Sequence, residues 1–194
     1  MPRRRPYRLG KRQASVNETK RRILDAAFTE YNENGIEETT MVAVARRANV
    51  APGTVLYHYP EPEALAEAVA DRLIEEVDWP EVHQIAEDTA LEERVDLLLD
   101  TVYAMYETAR PAADVYRKSP EHPAVRKLQS VWDSQMSRTI AYALGSHVID
   151  EDKPMISAIL EGPFLSSLLR RGVHEDQIQE SASRLIVAWL KSAN

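Results

Sequence analysis

An all-α fold is what this chain predicts, on three observations. Apolar residues recur at three- and four-residue spacing through almost all of its 194 residues, no segment alternates strictly in the manner of a half-buried strand, and no β-branched or aromatic run marks one. A hydrophobic share of 44% is enough for a substantial core, yet no apolar run approaches the roughly 18 residues of a spanning helix, so an integral membrane protein is not expected.

Residues 1–14 are rich in Pro and Arg and read as a disordered basic arm, after which Ser15 and Glu18 stand in capping-box spacing. A first helix, Asn17 to Asn34, then places Ile23, Leu24, Ala27, Phe28 and Tyr31 on one face, and Gly35 suits a left-handed cap. Thr39 and Thr40 offer an N-cap for a short second helix, Met41 to Ala48. It buries Met41, Val44, Ala45 and Ala48 and turns Arg46 and Arg47 to its wetter side. Asn49 tolerates a left-handed turn, and Ala51-Pro52-Gly53-Thr54 starts a third helix that ends near Pro60. Two short helices about a tight turn spell helix-turn-helix.

From Pro62 a fourth helix carries Leu65, Val69, Leu73 and Val77 to Trp79, where Pro80 stops it. A strong helix follows, Leu91 to Arg110, with Leu91, Val95, Leu98, Val102, Met105 and Ala109 on one stripe and Leu99, Tyr103 and Tyr106 on a second. Pro111, Pro120 and Pro123 leave a short helix near Val115 and Tyr116, then a long one from Ala124 to Leu144 that turns Val125, Leu128, Trp132, Met136 and Ile140 inward. Pro154 opens a helix with Met155, Ile159, Leu160, Phe164, Leu168 and Leu169, bent at Gly162-Pro163. The last helix, Glu175 to Ala193, sets Ile178, Ala182, Leu185 and Trp189 in heptad-like order beside Ile186 and Leu190. The count is about nine helices, in a basic arm (1–14), a helix-turn-helix domain (15–60) and a second helical domain (61–194).

Charge divides along the chain. The net charge is −7, but residues 1–59 carry 11 Lys or Arg against six acids, and residues 60–194 carry 13 against 25. A polyanion feels the local field within about 8–10 Å at physiological salt, so a cationic N-terminal module points to nucleic acid or an acidic surface in spite of the acidic whole. There is no cysteine, which removes disulfides, thiolate metal sites and cysteine nucleophiles. The five histidines (58, 83, 122, 147 and 174) never pair at three- or four-residue spacing, so no metal is expected. Nucleophile elbows and glycine-rich phosphate loops are absent from a chain with six glycines, so neither a cofactor nor an enzyme is expected. Without an apolar stretch after Arg3, Arg4 and Arg5, a secretory signal is unsupported and the cytoplasm is the expected location.

Residues 15 to 65 resemble the DNA-binding domain of the tetracycline-repressor (TetR) family of bacterial regulators. The resemblance is carried in order and spacing by ETKRRILDAAFTEYNENG (18–35), TTMVAVARRANVAPGT (39–54) and YHYPEPEAL (57–65). Two residues depart from it: Leu56 stands at a usual tyrosine position, and Pro62 where a lysine often meets phosphate. The resemblance implies a sequence-specific transcriptional regulator, a repressor by default, that leaves a palindromic operator when a small molecule binds the second domain. A helical small-molecule-binding protein that has lost specific DNA binding is the alternative.

A major groove about 12 Å wide takes one α-helix with small or polar side chains at its tip, which Pro52, Gly53, Thr54, Tyr57 and His58 supply. Thr40, Arg46 and Arg47 are phosphate candidates, and Arg3, Arg4, Arg5, Arg8, Lys11 and Arg12 of the arm would follow the minor groove or phosphates. Homodimerisation should accompany function, and by resemblance the last two helices supply the interface through Leu165, Leu168, Leu169, Ile178, Leu185 and Trp189. Candidate effector contacts are Tyr103, Met105, Tyr106, Tyr116, Trp132, Met136 and Phe164.

Overall fold

The computed structural model describes residues 7–77, 79, 85–86, 88–109 and 113–193, and among these the ordered elements are helices. They are α1 (Tyr7–Asn34), α2 (Met41–Ala48), α3 (Pro52–His58), α4 (Pro62–Glu76), α5 (Leu91–Ala109), α6 (Ala113–Lys118), α7 (Pro123–Leu144), α8 (Lys153–Leu160), α9 (Gly162–Arg170) and α10 (Glu175–Ala193), with a 3₁₀ turn at Gly145–His147. Among the described residues no helix is long and apolar enough to cross a membrane.

The first helix begins ten residues before its expected start. Ser15 is an interior residue of α1 rather than its cap: its carbonyl accepts the Thr19 hydroxyl at 2.9 Å, and Glu18 reaches forward to Arg21 at 2.7 Å. The reason is local. After Pro6 the sequence holds Arg, Lys, Gln and Ala, all good helix formers, and the single Gly10 costs too little to stop propagation from a stable helix behind it. Arg8, Lys11 and Arg12 therefore lie on a helical backbone rather than in a disordered arm, while Arg3, Arg4 and Arg5 fall outside the described residues.

Several boundaries follow the capping chemistry, whereas α4 ends at Glu76, three residues short of the expected Trp79. Gly35 ends α1 at φ +88°, its N–H donating to the Tyr31 carbonyl at 2.9 Å. The Thr40 hydroxyl accepts the Ala43 N–H at 3.1 Å and caps α2, and Asn49 closes that helix in the left-handed region at φ 52°. One expected bent helix across 154–170 is instead two: Glu161 is extended (φ −69°, ψ 146°), so α8 stops and α9 starts with Pro163 in its first turn. Proline within a helix lacks the N–H and its ring meets the carbonyl four residues back, so a break is the cheaper outcome here.

The chain divides into two compact units. The first holds residues up to Glu75 together with the described residues from Ala113 to Leu128. Its core joins Ile23, Ala27 and Tyr31 of α1 to Val44, Ala45 and Ala48 of α2, Val55 of α3, Leu65 and Val69 of α4, and Val115, Val125 and Leu128. The second unit buries Val95, Leu98, Leu99 and Val102 of α5 with Met136, Ile140 and Leu144 of α7, Ile156 and Leu160 of α8, and Ala182, Ile186 and Leu190 of α10. Full burial of each large aliphatic side chain contributes roughly 1.5–3 kcal/mol.

In the second unit Arg94 is buried without a carboxylate partner among the described residues. Its guanidinium donates instead to three carbonyls, Thr89 at 3.1 Å, Ala143 at 3.0 Å and Ala86 at 2.6 Å. It thereby fastens the segment before α5 and the end of α7 to the middle of the unit.

Candidate nucleic-acid interface

The helix-turn-helix is set by contacts from three directions. Arg22 of α1 donates through Nη2 to the carbonyls of Ala48 and Asn49, the latter at 3.0 Å. A cation on the last carbonyls of α2 complements that helix end and fixes the turn into α3. From α4, Arg72 pairs with Asp25 of α1 at 2.5 Å. From the far side in sequence, the Ser119 hydroxyl accepts the Ile36 N–H at 2.8 Å and donates to the Glu37 carboxylate, while Lys118 Nζ donates to the carbonyls of Asn32 and Glu33 at the end of α1. The Ser119 hydroxyl, with burial opposing and His122 assisting, holds the Glu37 carboxyl below its ordinary 4.5. Lys127 of α7 adds ion pairs to Asp71 at 2.5 Å and Glu67 at 3.5 Å on α4.

On this frame most of the expected contact residues stand open. Pro52 and Gly53 are exposed and Thr54 and His58 half-exposed; Tyr57 is 81% exposed, its ring edge-on to His58 with centroids 5.1 Å apart. An added Cβ at Gly53 would meet nothing within 4 Å. Among the described residues nothing thus requires glycine at that position. Thr40 is exposed while its hydroxyl is engaged as the cap of α2. Tyr59 is buried, and burial raises its phenol pKa.

The two neighbouring arginines part company. Arg46 is exposed and makes no ion pair among the described residues. Arg47, expected to face phosphate as well, is folded back onto α1: its Nε lies 2.7 Å from Glu30, and its Nη atoms engage Glu33, one of them at 3.0 Å. Glu30 is buried, and its other oxygen accepts from Asn34 at 3.0 Å. A buried carboxylate needs a cation and donors, and Arg47 is the cation within reach.

In the second unit Trp132 packs between two rings, Trp79 at 5.9 Å and Tyr106 at 5.0 Å between centroids, all three half-buried. Met105 and Met136 are core residues there, while Tyr103 and Phe164 are half-buried. The side chains of Tyr116 and Leu165 lie outside the description. On α10 the inward stripe is Ile178, Ala182, Ile186 and Leu190, so Ile178, 2% exposed, is packed within the chain and not at its surface. That choice of register leaves Leu185 and Trp189 exposed, as is Leu169, with Leu168 half-buried; Trp189 Nε1 is fixed by Asp152 Oδ1 at 3.0 Å. Sequence reasoning overlooked Arg22, Lys118 and Ser119, whose partners lie far along the chain.

Residues 23–69 match the family described as "Bacterial regulatory proteins, tetR family". The HTH-type transcriptional regulator UidR of Escherichia coli K12 is 35% identical over 57 residues, 29% of each chain. The HTH-type transcriptional regulator BetI of Burkholderia thailandensis is 26% identical over 163 residues, covering 77% of this chain and 82% of its own. Among solved structures, a putative transcriptional regulator from Saccharomonospora viridis, in complex with choline, superposes with a TM-score of 0.61 over 88% of this chain and 96% of that one, at 22% identity.

Proposed function

We propose that this chain, whose N-terminal domain is that of the bacterial regulatory proteins of the tetR family, is a dimeric repressor that leaves a palindromic operator when a small molecule binds its second unit. The observation that carries the reading is the open face of the helix-turn-helix: Arg46, Pro52, Gly53, Thr54, Tyr57 and His58 accessible together, over a scaffold held by Arg22, Arg47 and Ser119. Thr54, Tyr57 and His58 of α3 would meet base edges in the major groove, and Arg46 with Thr40 the phosphates beside them. Arg8, Lys11 and Arg12, as part of α1, would add salt-sensitive affinity together with Arg3, Arg4 and Arg5. With DNA as its partner the protein would work in the cytoplasm.

One such motif reads too few base pairs for useful specificity, so two copies must present α3 about 34 Å apart. Leu168, Leu169, Leu185 and Trp189, with Leu165, would form the shared face, α9 and α10 of each copy making a four-helix bundle. The effector fitting the Trp79, Tyr106 and Trp132 cluster is apolar or aromatic, with Tyr103, Met105, Tyr116, Met136 and Phe164 as further candidate contacts. Binding there would favour one spacing of the two α3 helices over another.

Selection of duplexes from a random-sequence library with the full-length protein tests the reading. It predicts enrichment of an inverted repeat with half-sites about one helical turn apart. Absence of any enriched sequence would support a helical ligand binder without specific DNA recognition instead.

A further inference from the structure

The described part of the first unit has three exposed large hydrophobic side chains, Val42, Leu56 and Tyr57, and all three lie on the helix-turn-helix. Tyr57 carries a hydroxyl that suits a phosphate or a base edge; the other two carry no polar atom. Val42 is 64% exposed on α2, away from the buried stripe of Val44, Ala45 and Ala48 and one turn before the exposed Arg46. Leu56 is 48% exposed on α3, where Val55 is the buried residue, and stands one turn after Gly53 with its open surroundings. Single exposed aliphatic residues are ordinary. Here, however, they are confined to the two helices that would meet DNA, each within a turn of a feature that suits its approach.

We propose that Val42 and Leu56 are specificity-determining residues that contact the 5-methyl groups of operator thymines; this rests on the DNA-binding reading above. An aliphatic side chain offers no donor or acceptor, so it cannot hold a phosphate or read guanine or cytosine by hydrogen bonds. The thymine methyl is the apolar feature that the floor of the major groove presents, and it marks both position and strand of an A·T pair. Arg46, one turn from Val42, supplies the charge that draws the polyanion to this face. At Gly53 the missing side chain lets the backbone of α3 come close, which brings Leu56 within reach of the groove floor. The departure at Leu56 thus changes what is read at that position, a methyl group in place of the hydrogen bond that tyrosine would make.

The test uses full-length protein and a duplex selected by it from a random library, with each thymine replaced in turn by deoxyuridine, which lacks only the methyl. Anisotropy titrations of wild type should show one or two positions per half-site where the replacement weakens binding about fourfold, or about fifteenfold when made in both half-sites. In Val42→Ala or Leu56→Ala, each checked by its thermal melt to be folded at the titration temperature, the sensitivity at one position should vanish. Equal binding of all deoxyuridine duplexes by wild type would overturn the proposal, as would sensitivity that persists at every position in both variants. A library that yields no preferred sequence would remove the DNA-binding reading itself and the proposal with it. Selection that succeeds without methyl dependence would remove the proposal alone.

Discussion

Replacing Ser119 by Ala deletes one hydroxyl and two hydrogen bonds. The first accepts from the Ile36 N–H at 2.8 Å, at the corner between α1 and α2 where both residues are buried. A buried backbone donor left without a partner costs about 1–3 kcal/mol, so the variant should lose about 2 kcal/mol. For a chain of this length that is a fall of roughly 4–8 °C in melting temperature. The second bond goes to Glu37 and gives the loss a pH dependence. Because the Ser119 hydroxyl holds the Glu37 carboxyl below 4.5, that contribution is present above the ordinary carboxylate range and disappears as pH falls through the folded-state value. The gap between wild type and variant should therefore be widest above the ordinary carboxylate range and narrow as pH falls below 4.5 without closing, since the Ile36 donor is orphaned at every pH. Calorimetric melts across that range, with hydrogen exchange of the Ile36 amide as a local readout, measure both parts. An unchanged melting temperature together with an Ile36 amide still protected would show that Ser119 does not hold Ile36.

The adjacent arginines should separate cleanly. Arg46→Ala should leave the melting temperature alone and reduce the slope of log affinity against log salt by about 1.8 for two copies on one duplex, whereas Arg47→Ala should lower the melting temperature by uncovering Glu30; equal behaviour of the two would contradict the ion pairs. Arg94→Met should cost about 3 kcal/mol in thermal unfolding by freeing three carbonyls of the second unit, and retention of wild-type stability would show that water serves them as well. Leu185→Glu should give monomers by light scattering, because the residue is exposed in the chain and placed on the proposed shared face; a persistent dimer would move that face elsewhere.

Most helix limits were legible because their causes are local. Gly35, Thr40, Asn49, Pro52, Pro62 and Pro123 each act on the turn they belong to, and each stands where its chemistry predicts. The start of α1 misled because a capping-box spacing at Ser15 and Glu18 is equally compatible with a helix interior once a stable helix extends through it. On α10 two apolar stripes run side by side, and only the packing of α10 on α5 and α8 decides that Ile178 turns inward while Leu185 and Trp189 do not. Arg46 and Arg47 are alike in sequence; what distinguishes them is the position of Glu30 and Glu33 on another helix. The same holds for Ser119, which lies 83 residues from Ile36. The roles of Arg47 and Ser119 depend on partners that their sequence neighbours do not reveal.

Specific recognition of DNA is proposed for the face around Arg46 and α3. Its most direct test is fluorescence anisotropy of full-length protein on the selected duplex and on a scrambled duplex of the same composition, across a salt series, with Thr54→Ala and Tyr57→Ala in parallel. Two chains should bind the selected duplex tightly, the scrambled one should be bound weakly and with a steep salt dependence, and the preference should shrink in both variants. Equal affinity of wild type for the two duplexes, or a preference untouched by either substitution, would contradict it.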